Sequence, residues 1–221
     1  MPSSPKVFCV LVSGGLDSAL MLSRLLRSRT RVIPVYVRCG FTWEAAELYW
    51  LRRFLSAQRS ARVAELRVID VPMRSLYGAH WSFSRRRTPG ARSPDRAVYL
   101  PGRNLILLSL AGIVAARSRA STVALGILRS NPFSDATPRF LATMSQAISA
   151  ALGTRVRVLA PVRHLSKAQL LAGAGNVPLA LTFSCLRPRA GHRHCGRCNK
   201  CAERRRAFRS VRLADPTRYA R

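Results

Sequence analysis

Lysine is nearly missing from this chain of 221 residues: of 38 basic side chains only Lys6, Lys167 and Lys200 are lysines. Acidic residues are scarce too, nine in all, and the formal charge reaches +29. No apolar run approaches the roughly 20 residues a membrane-spanning helix needs, so no membrane partner is expected. The opening Met1-Pro2-Ser3-Ser4-Pro5-Lys6 lacks the charged, apolar and small-residue zones of a secretion signal, and a cytoplasmic location is the expectation. Tandem repeats and low-complexity tracts are absent as well. Dense mixed blocks of lysine and arginine, usual in nucleic-acid-binding arms, are also wanting. The basic runs Arg85-Arg86-Arg87 and Arg204-Arg205-Arg206 are short, and the arginine excess with abundant alanine reads as the codon bias of a GC-rich genome. Nucleic acid therefore stays an admissible but unfavoured partner, and attraction to anions such as ATP is the safer inference.

What is present fits a folded protein. Hydrophobic residues make up 48% of the chain. A chain of this length can bury roughly 70% of its unfolded surface in one large domain, or in one domain with a small appendage. Short apolar, β-branched runs predict strands at 7–12, 31–37, 64–71, 122–126 and 155–159. Helical spacing predicts helices over 16–29, 43–57, 104–117 and 140–152, with another short one capped by Ser166. Pro34 argues against a central place for the second strand. The 104–117 helix is apolar nearly all round and reads as fully buried. Residues 72–98, with Pro72, Gly78, Pro89, Gly90 and Pro94, read as a long loop. Alternating strands and helices predict an α/β fold, a doubly wound, mostly parallel sheet with helices on both faces. Ligands bind such sheets at the carboxyl ends of the strands.

Ser13-Gly14-Gly15-Leu16-Asp17-Ser18 falls at such a place, between the first strand and the first helix. Two glycines allow a tight turn and a close approach to phosphate, and the backbone N–H groups converge at a helix N-terminus. Ser13 and Ser18 can add hydroxyl donors, and Asp17 can cap the helix or sit near Mg²⁺. No Gly-Lys-Ser/Thr follows, so this is not a Walker A loop. Near the other end, Cys185-x9-Cys195-x2-Cys198-x2-Cys201 has the spacing of a tetrahedral four-thiolate Zn²⁺ site. An iron–sulfur cluster is the competing occupant. With four cysteines at hand, His192 and His194 read as supporting or solvent groups. Cys9 reads as core packing.

The hexapeptide matches the SGGxDS signature of the PP-loop ATP pyrophosphatases in full. With L-P-G-R-N-L at 100–105, P-V-R-H-L-S-K-A at 161–168, T-F-S-C at 182–185, C-G-R-C-N-K-C-A-E-R at 195–204 and A-D-P-T-R-Y at 214–219, the chain resembles the 7-cyano-7-deazaguanine synthases over nearly its whole length. The resemblance implies an adenine nucleotide alpha hydrolase-like PP-loop domain over 1–180 and a zinc-binding segment over 181–221. It implies a carbon–nitrogen ligase that takes a deazapurine acid and ammonia, with ATP, Mg²⁺ and Zn²⁺. ATP adenylates the carboxylate, ammonia forms the amide, and a second ATP activates the amide for loss of water to the nitrile. A homodimer is left open.

Such chemistry asks for charge neutralisation around phosphates, for which Arg103 and Lys167 are the candidates. His164 and Asn104 are weaker ones; Asn104 either orients substrate or caps its helix. Two stretches depart from the family pattern. Asp135 stands where better-known members have the aspartate of a Tyr-Pro-Asp-Cys-Arg-like stretch, but Ala136-Thr137 replace Cys-Arg. Asp135 can read an amino-pyrimidinone edge or act as a helix cap. Cys39-Gly40-Phe41-Thr42-Trp43-Glu44 lacks the usual polar run. An altered acceptor pocket follows, leaving open a related acid or an amide product. A tRNA-thiolating enzyme using Cys39 as sulfur carrier, and a zinc-bearing nucleic-acid adaptor, are the competing readings.

Overall fold

The computed structural model describes residues 6–58 and 60–220, so the Met1–Pro5 segment read above lies outside the described residues. Five strands, β1 (Val7–Leu11), β2 (Arg31–Arg38), β3 (Arg67–Asp70), β4 (Thr122–Ala124) and β5 (Arg157–Leu159), form one sheet in the order β3-β2-β1-β4-β5. All four pairings are parallel. The helices between them are α1 (Leu16–Arg27), α2 (Glu44–Ala57), α3 (Arg74–Tyr77), α4 (Arg103–Arg117), α5 (Pro138–Leu152), α6 (Lys167–Ala172) and α7 (Asn199–Ser210).

The two-residue period of the strands sorts their side chains onto two faces. Cys9, Ile33, Val35, Val37 and Val123 enter a core with Leu108, Ala111, Met144 and Ile148 from α4 and α5. Val10, Val12, Val32, Tyr36 and Ala124 enter a second core with Leu20 and Leu22 of α1, Leu48 and Leu51 of α2, and Leu170 of α6. The sheet is therefore doubly wound. No helix among the described residues is long and apolar enough to cross a membrane.

Three local expectations are corrected. β2 is an interior strand despite Pro34, lying between β1 and β3. Val32 bonds the 62–64 segment in both directions, its N–H to Arg62 and its carbonyl from Ala64. Two residues on, Pro34 faces the same side, between the isolated Val32–Val63 bridge and the ladder that starts at Val35–Arg67. Its missing N–H falls where no partner strand is paired, so the proline costs no ladder bond.

Helix α4 is not buried all round: Leu105 is 48% and Ile113 45% exposed, while Leu108, Ala111, Gly112 and Ala115 turn inward. Apolar composition concealed the side that faces away from the sheet. The 72–98 stretch contains one short helix, α3, and two 3-10 turns, Trp81–Phe83 and Asp95–Val98. It is tied to the C-terminal segment, since Asn199 donates from its backbone to Pro89 at 2.9 Å and from its side chain to the Ser93 carbonyl at 2.7 Å. The Ser166 cap is present as a full capping box with Gln169.

The approach of α4 to α5 depends on one glycine. A Cβ on Gly112 would lie 2.6 Å from Ile148 Cγ2. Gly112→Ala is therefore expected to lower stability by about 1–3 kcal/mol through overpacking. Chemical denaturation of Gly112→Ala, of Ile148→Ala and of the two combined checks this: the pair should cost less than the sum of the single changes.

Candidate active site

The sheet order reverses direction at β1 and β4, and the crevice outside their carboxyl ends is where ligands bind such folds. A cavity of about 320 Å³ opens there, lined at one end by Ser13, Gly15, Asp17, Ser18, Lys167 and Glu203. Gly14 has φ +74°, and a Cβ on it would stand 3.2 Å from Leu51 Cβ and 3.3 Å from the Glu47 carbonyl. Left-handed backbone and the closeness of α2 both require glycine at that position. The turn is held internally: Ser13 N–H donates to Ser18 Oγ at 3.3 Å, Gly15 N–H to Ser13 Oγ at 3.3 Å, and Ser18 Oγ to the Gly15 carbonyl at 3.1 Å. Phe183 N–H donates to the Gly14 carbonyl at 2.7 Å, stitching the C-terminal segment to the loop. Gly126, after β4, lets that strand's exit pass against Ser18, whose Cα and N would lie 3.2 Å from a Cβ there.

A chain of charges crosses the floor of this end. Lys167 Nζ pairs with Asp17 Oδ2 at 3.1 Å and with Glu203 Oε1, and Lys200 pairs with Glu203 Oε2 at 2.7 Å. Burial alone pulls the Lys167 ammonium down, but Asp17 and Glu203 outweigh it and hold it well above the ordinary lysine range. Burial would raise Glu203, yet the two ammonium groups hold it down at about 2. Asp17 Oδ1 is buried with no partner among the described residues.

Arg103 enters from the first turn of α4, its guanidinium carbon 5.2 Å from the centre of the Phe41 ring. Its Nε is buried without a partner, and no carboxylate forms an ion pair with it among the described residues. Asn104 also lines the cavity. Asp135 is elsewhere: it is buried outside the cavity lining, its Oδ2 accepting from Asn104 N–H at 3.0 Å, while Asn104 Nδ2 donates to the Asp135 carbonyl at 2.9 Å. The carboxylate thus caps α4 and sets the angle at which Arg103 and Asn104 leave it. His164 is absent from the lining.

Three features at the other end are not singled out by the sequence motifs. Trp43 and Trp81 line it with rings stacked 5.5 Å apart at 27°, backed by Phe41 4.9 Å from Trp43. Glu47 of α2 joins them, its Oε2 accepting from the Tyr36 hydroxyl at 2.8 Å. Burial pushes the Glu47 carboxyl up to about 7, with Arg103 pulling the other way. One signal for Glu47 was available: it is one of nine acids, set on the apolar face of α2 four residues after Trp43 and four before Leu51. Cys39 is wholly buried, and burial pushes its thiol up to about 11.

The four cysteines of the C-terminal motif converge: the Sγ atoms of Cys185, Cys195, Cys198 and Cys201 all lie within 4.8 Å of one another. Zn–S bonds of about 2.3 Å in a tetrahedron require sulfurs roughly 3.8 Å apart, and the Cys195–Cys201 separation is 4.0 Å. Backbone N–H groups of Leu186, Cys195 and Arg197 donate to three of the sulfurs, as suits thiolates. The group can hold a metal ion. Neither histidine belongs to the converging group: His194 Nε2 accepts from Ser184 N–H at 3.1 Å, and His192 packs against Tyr49 at 4.5 Å.

The charge chain generates a pH dependence. A carboxyl held below its ordinary value of 4.5 contributes stability that is complete above that value and is lost as pH falls toward about 2. Denaturant unfolding of Glu203→Gln and the parent protein, compared as pH drops from about 5 to about 2, should show a shallower loss in the variant. Equal slopes would contradict the pairing.

Known proteins resemble this chain along nearly its whole length. The family model described as "Queuosine biosynthesis protein QueC" matches residues 7–212. The 7-cyano-7-deazaguanine synthase of Thiobacillus denitrificans is 33% identical over 231 residues, spanning 96% of this chain and 97% of its own. That of Solidesulfovibrio magneticus is 32% identical over 237 residues, spanning 98% and 97%. Among solved structures, a 4-thiouridine synthetase in complex with RNA and bound ATP superposes with a TM-score of 0.51 at 18% identity, over 78% of this chain and 41% of that one. That likeness concerns the fold, which is the PP-loop, adenine nucleotide alpha hydrolase-like one. The chain belongs to the QueC family of queuosine biosynthesis proteins.

Proposed function

We propose that this protein is an ATP-dependent carbon–nitrogen ligase converting 7-carboxy-7-deazaguanine and ammonia to 7-cyano-7-deazaguanine. The observation that carries this reading is a single cleft holding both a PP-loop with its cations and an aromatic wall, in a chain matching the synthases nearly end to end. The acid's carboxylate oxygen attacks the α-phosphorus of ATP, forming an acyl adenylate and releasing pyrophosphate. Ammonia adds at the acyl carbon, AMP leaves, and a proton is lost to give the amide. The amide oxygen attacks a second ATP in the same way. Loss of AMP, carrying that oxygen, and of both protons of the amide nitrogen then leaves the nitrile.

The protein's own groups bind and neutralise. The N–H groups of the Gly14–Gly15 turn and the hydroxyls of Ser13 and Ser18 cradle phosphate oxygens, with Leu16 opening the helix behind them. Lys167, already charged and held by Asp17 and Glu203, turns to the phosphates. Arg103 brings an unpaired guanidinium to the acyl phosphate. Asp135 acts through Asn104 as a positioning residue. Asp17, with its unpartnered Oδ1, is the group that would hold Mg²⁺, whose chemistry is to neutralise phosphate oxygens. Zn²⁺ fits the closed set Cys185, Cys195, Cys198 and Cys201 in a structural role, leaving no open position for substrate. The thiolation reading loses its carrier, since Cys39 is wholly buried and its thiol faces the Val37 carbonyl.

Incubation with ATP, Mg²⁺, ammonium and the acid, followed by mass spectrometry, should yield AMP, the amide and the nitrile. Amide without nitrile would favour amidation of a related acid, and no AMP at all would overturn the reading. Arg103→Ala should cut kcat/KM by about a hundredfold or more, as losing a transition-state cation does. Exhaustive chelation should remove roughly one Zn²⁺ per chain and lower the unfolding temperature. Metal analysis finding iron and sulfide instead would overturn the zinc assignment.

A further inference from the structure

The aromatic end of the cleft contains a carboxyl group that phosphate chemistry does not use. Glu47 reaches it from α2, half-buried, between Trp43 and Leu51 on the helix face turned toward the sheet. The Tyr36 hydroxyl donates to Oε2, which fixes the plane of the carboxylate. Among the described residues no donor reaches Oε1, and that oxygen is not sealed from the cleft. Trp81, half-buried in the lining and backed by the buried Trp43 stacked on it, supplies a ring against which a planar heterocycle can pack. Asp135, the carboxylate that the sequence motif offers for base recognition, spends its Oδ2 on the cap of α4.

We propose that Glu47 is the specificity-determining residue for the acceptor, accepting hydrogen bonds from the ring N–H and exocyclic amine of a 2-amino-4-oxopyrimidine edge held against Trp81. The assignment rests on the nitrile-forming reading above and names the residue that selects its substrate.

The donor pattern decides between the two heterocycles that enter this cleft. The amino-oxopyrimidine ring offers two adjacent donors, which an ionised carboxylate accepts side by side. Adenine offers a donor next to a ring-nitrogen acceptor, so one carboxylate oxygen would face a lone pair. The surroundings suit a group that completes its solvation only when donors arrive. Tyr36 from β2 donates one bond, Arg103 from α4 lends positive charge, and Glu44 on the same helix is turned to the Cys39 and Gly40 N–H groups. Charge-assisted pairing to a buried carboxylate is worth far more than the same bond in water.

Titration calorimetry with 7-carboxy-7-deazaguanine and with its analogue lacking the 2-amino group tests the assignment, with ATP titrated in parallel. The parent protein should prefer the amino compound by roughly tenfold or more. Glu47→Gln keeps an oxygen for Tyr36 but presents an amide in place of two acceptors. It should bind the amino compound roughly ten- to a hundredfold more weakly and lose the preference, with ATP affinity within about twofold of the parent. Glu47→Asp, which withdraws the carboxyl by one methylene, should show the same selective loss, and ATP affinity reports whether either variant is folded. Retention of the preference in both variants overturns the assignment and leaves the ligase reading intact. A loss confined to ATP places Glu47 against the nucleotide and overturns it as well. If the parent binds neither acid yet binds ATP, the ligase reading fails and this inference fails with it.

Discussion

The placement of helix α7 is the constraint on which the phosphate end of the cleft depends. Its N-cap residue, Cys198, and its third residue, Cys201, belong to the converging thiol group. One turn on, Arg204 is only 2% exposed and donates to Thr217 Oγ1, Thr182 Oγ1, the Leu179 carbonyl and Asp215 Oδ1. A cation at that depth is tolerable only with such a complete set of acceptors. Those bonds carry the Ala214–Tyr219 ending onto the helix, where Tyr219 also donates to Asp215 and stacks under Arg205. The side of α7 turned to the cleft presents Lys200 and Glu203 to Lys167, and Lys167 in turn meets Asp17 of the loop. Sulfur cluster, buried arginine and glycine loop are therefore successive links of one mechanical chain. Four of the six short motifs scattered from 13 to 219 meet at α7.

Much of the architecture was legible because period and punctuation agreed. Strands β1 and β2 read as apolar runs ended by glycine or a polar residue, and α1 and α2 as leucine-rich and aromatic stripes. The limits of that reading are physical. Pro34 carries no label telling which of its two sides lacks a partner strand, and only the gap at 64–66 makes it harmless in the sheet interior. Between its ends helix α4 is leucine, isoleucine, valine and alanine apart from Ser109 and Gly112, so hydrophobicity gave little sign of which side faces out. The small residues Ala111, Gly112 and Ala115 do mark the close approach.

The site divides along the same line. The loop, Lys167 and the thiols were legible because their chemistry needs particular residues at particular spacings. The aromatic end was not, because Tyr36 of β2, Trp43 and Glu47 at the start of α2, and Trp81 come from three separate segments and meet only when the sheet is built. The stretch that departs from the family pattern at 39–44 acquires a meaning from this. In place of a polar run it supplies Phe41 and Trp43 to the wall, while Glu44 turns back to hold the N–H groups of Cys39 and Gly40. The other departure, around Asp135, sits behind α4. It bears on the cleft through Asn104 and the direction in which Arg103 is aimed, and through Asn131, which lines the cavity itself.

The distribution of the three tryptophans has a practical consequence. Trp43 and Trp81 line the cleft face to face, whereas Trp50 lies outside the lining with its indole N–H bound to the His192 carbonyl at 2.8 Å. Indole emission follows the polarity and stacking of its surroundings, so a flat ligand meeting Trp81 changes the protein's emission over a constant contribution from Trp50. The molecule carries its own optical gauge of occupancy, and a ligand can be followed into it without any label.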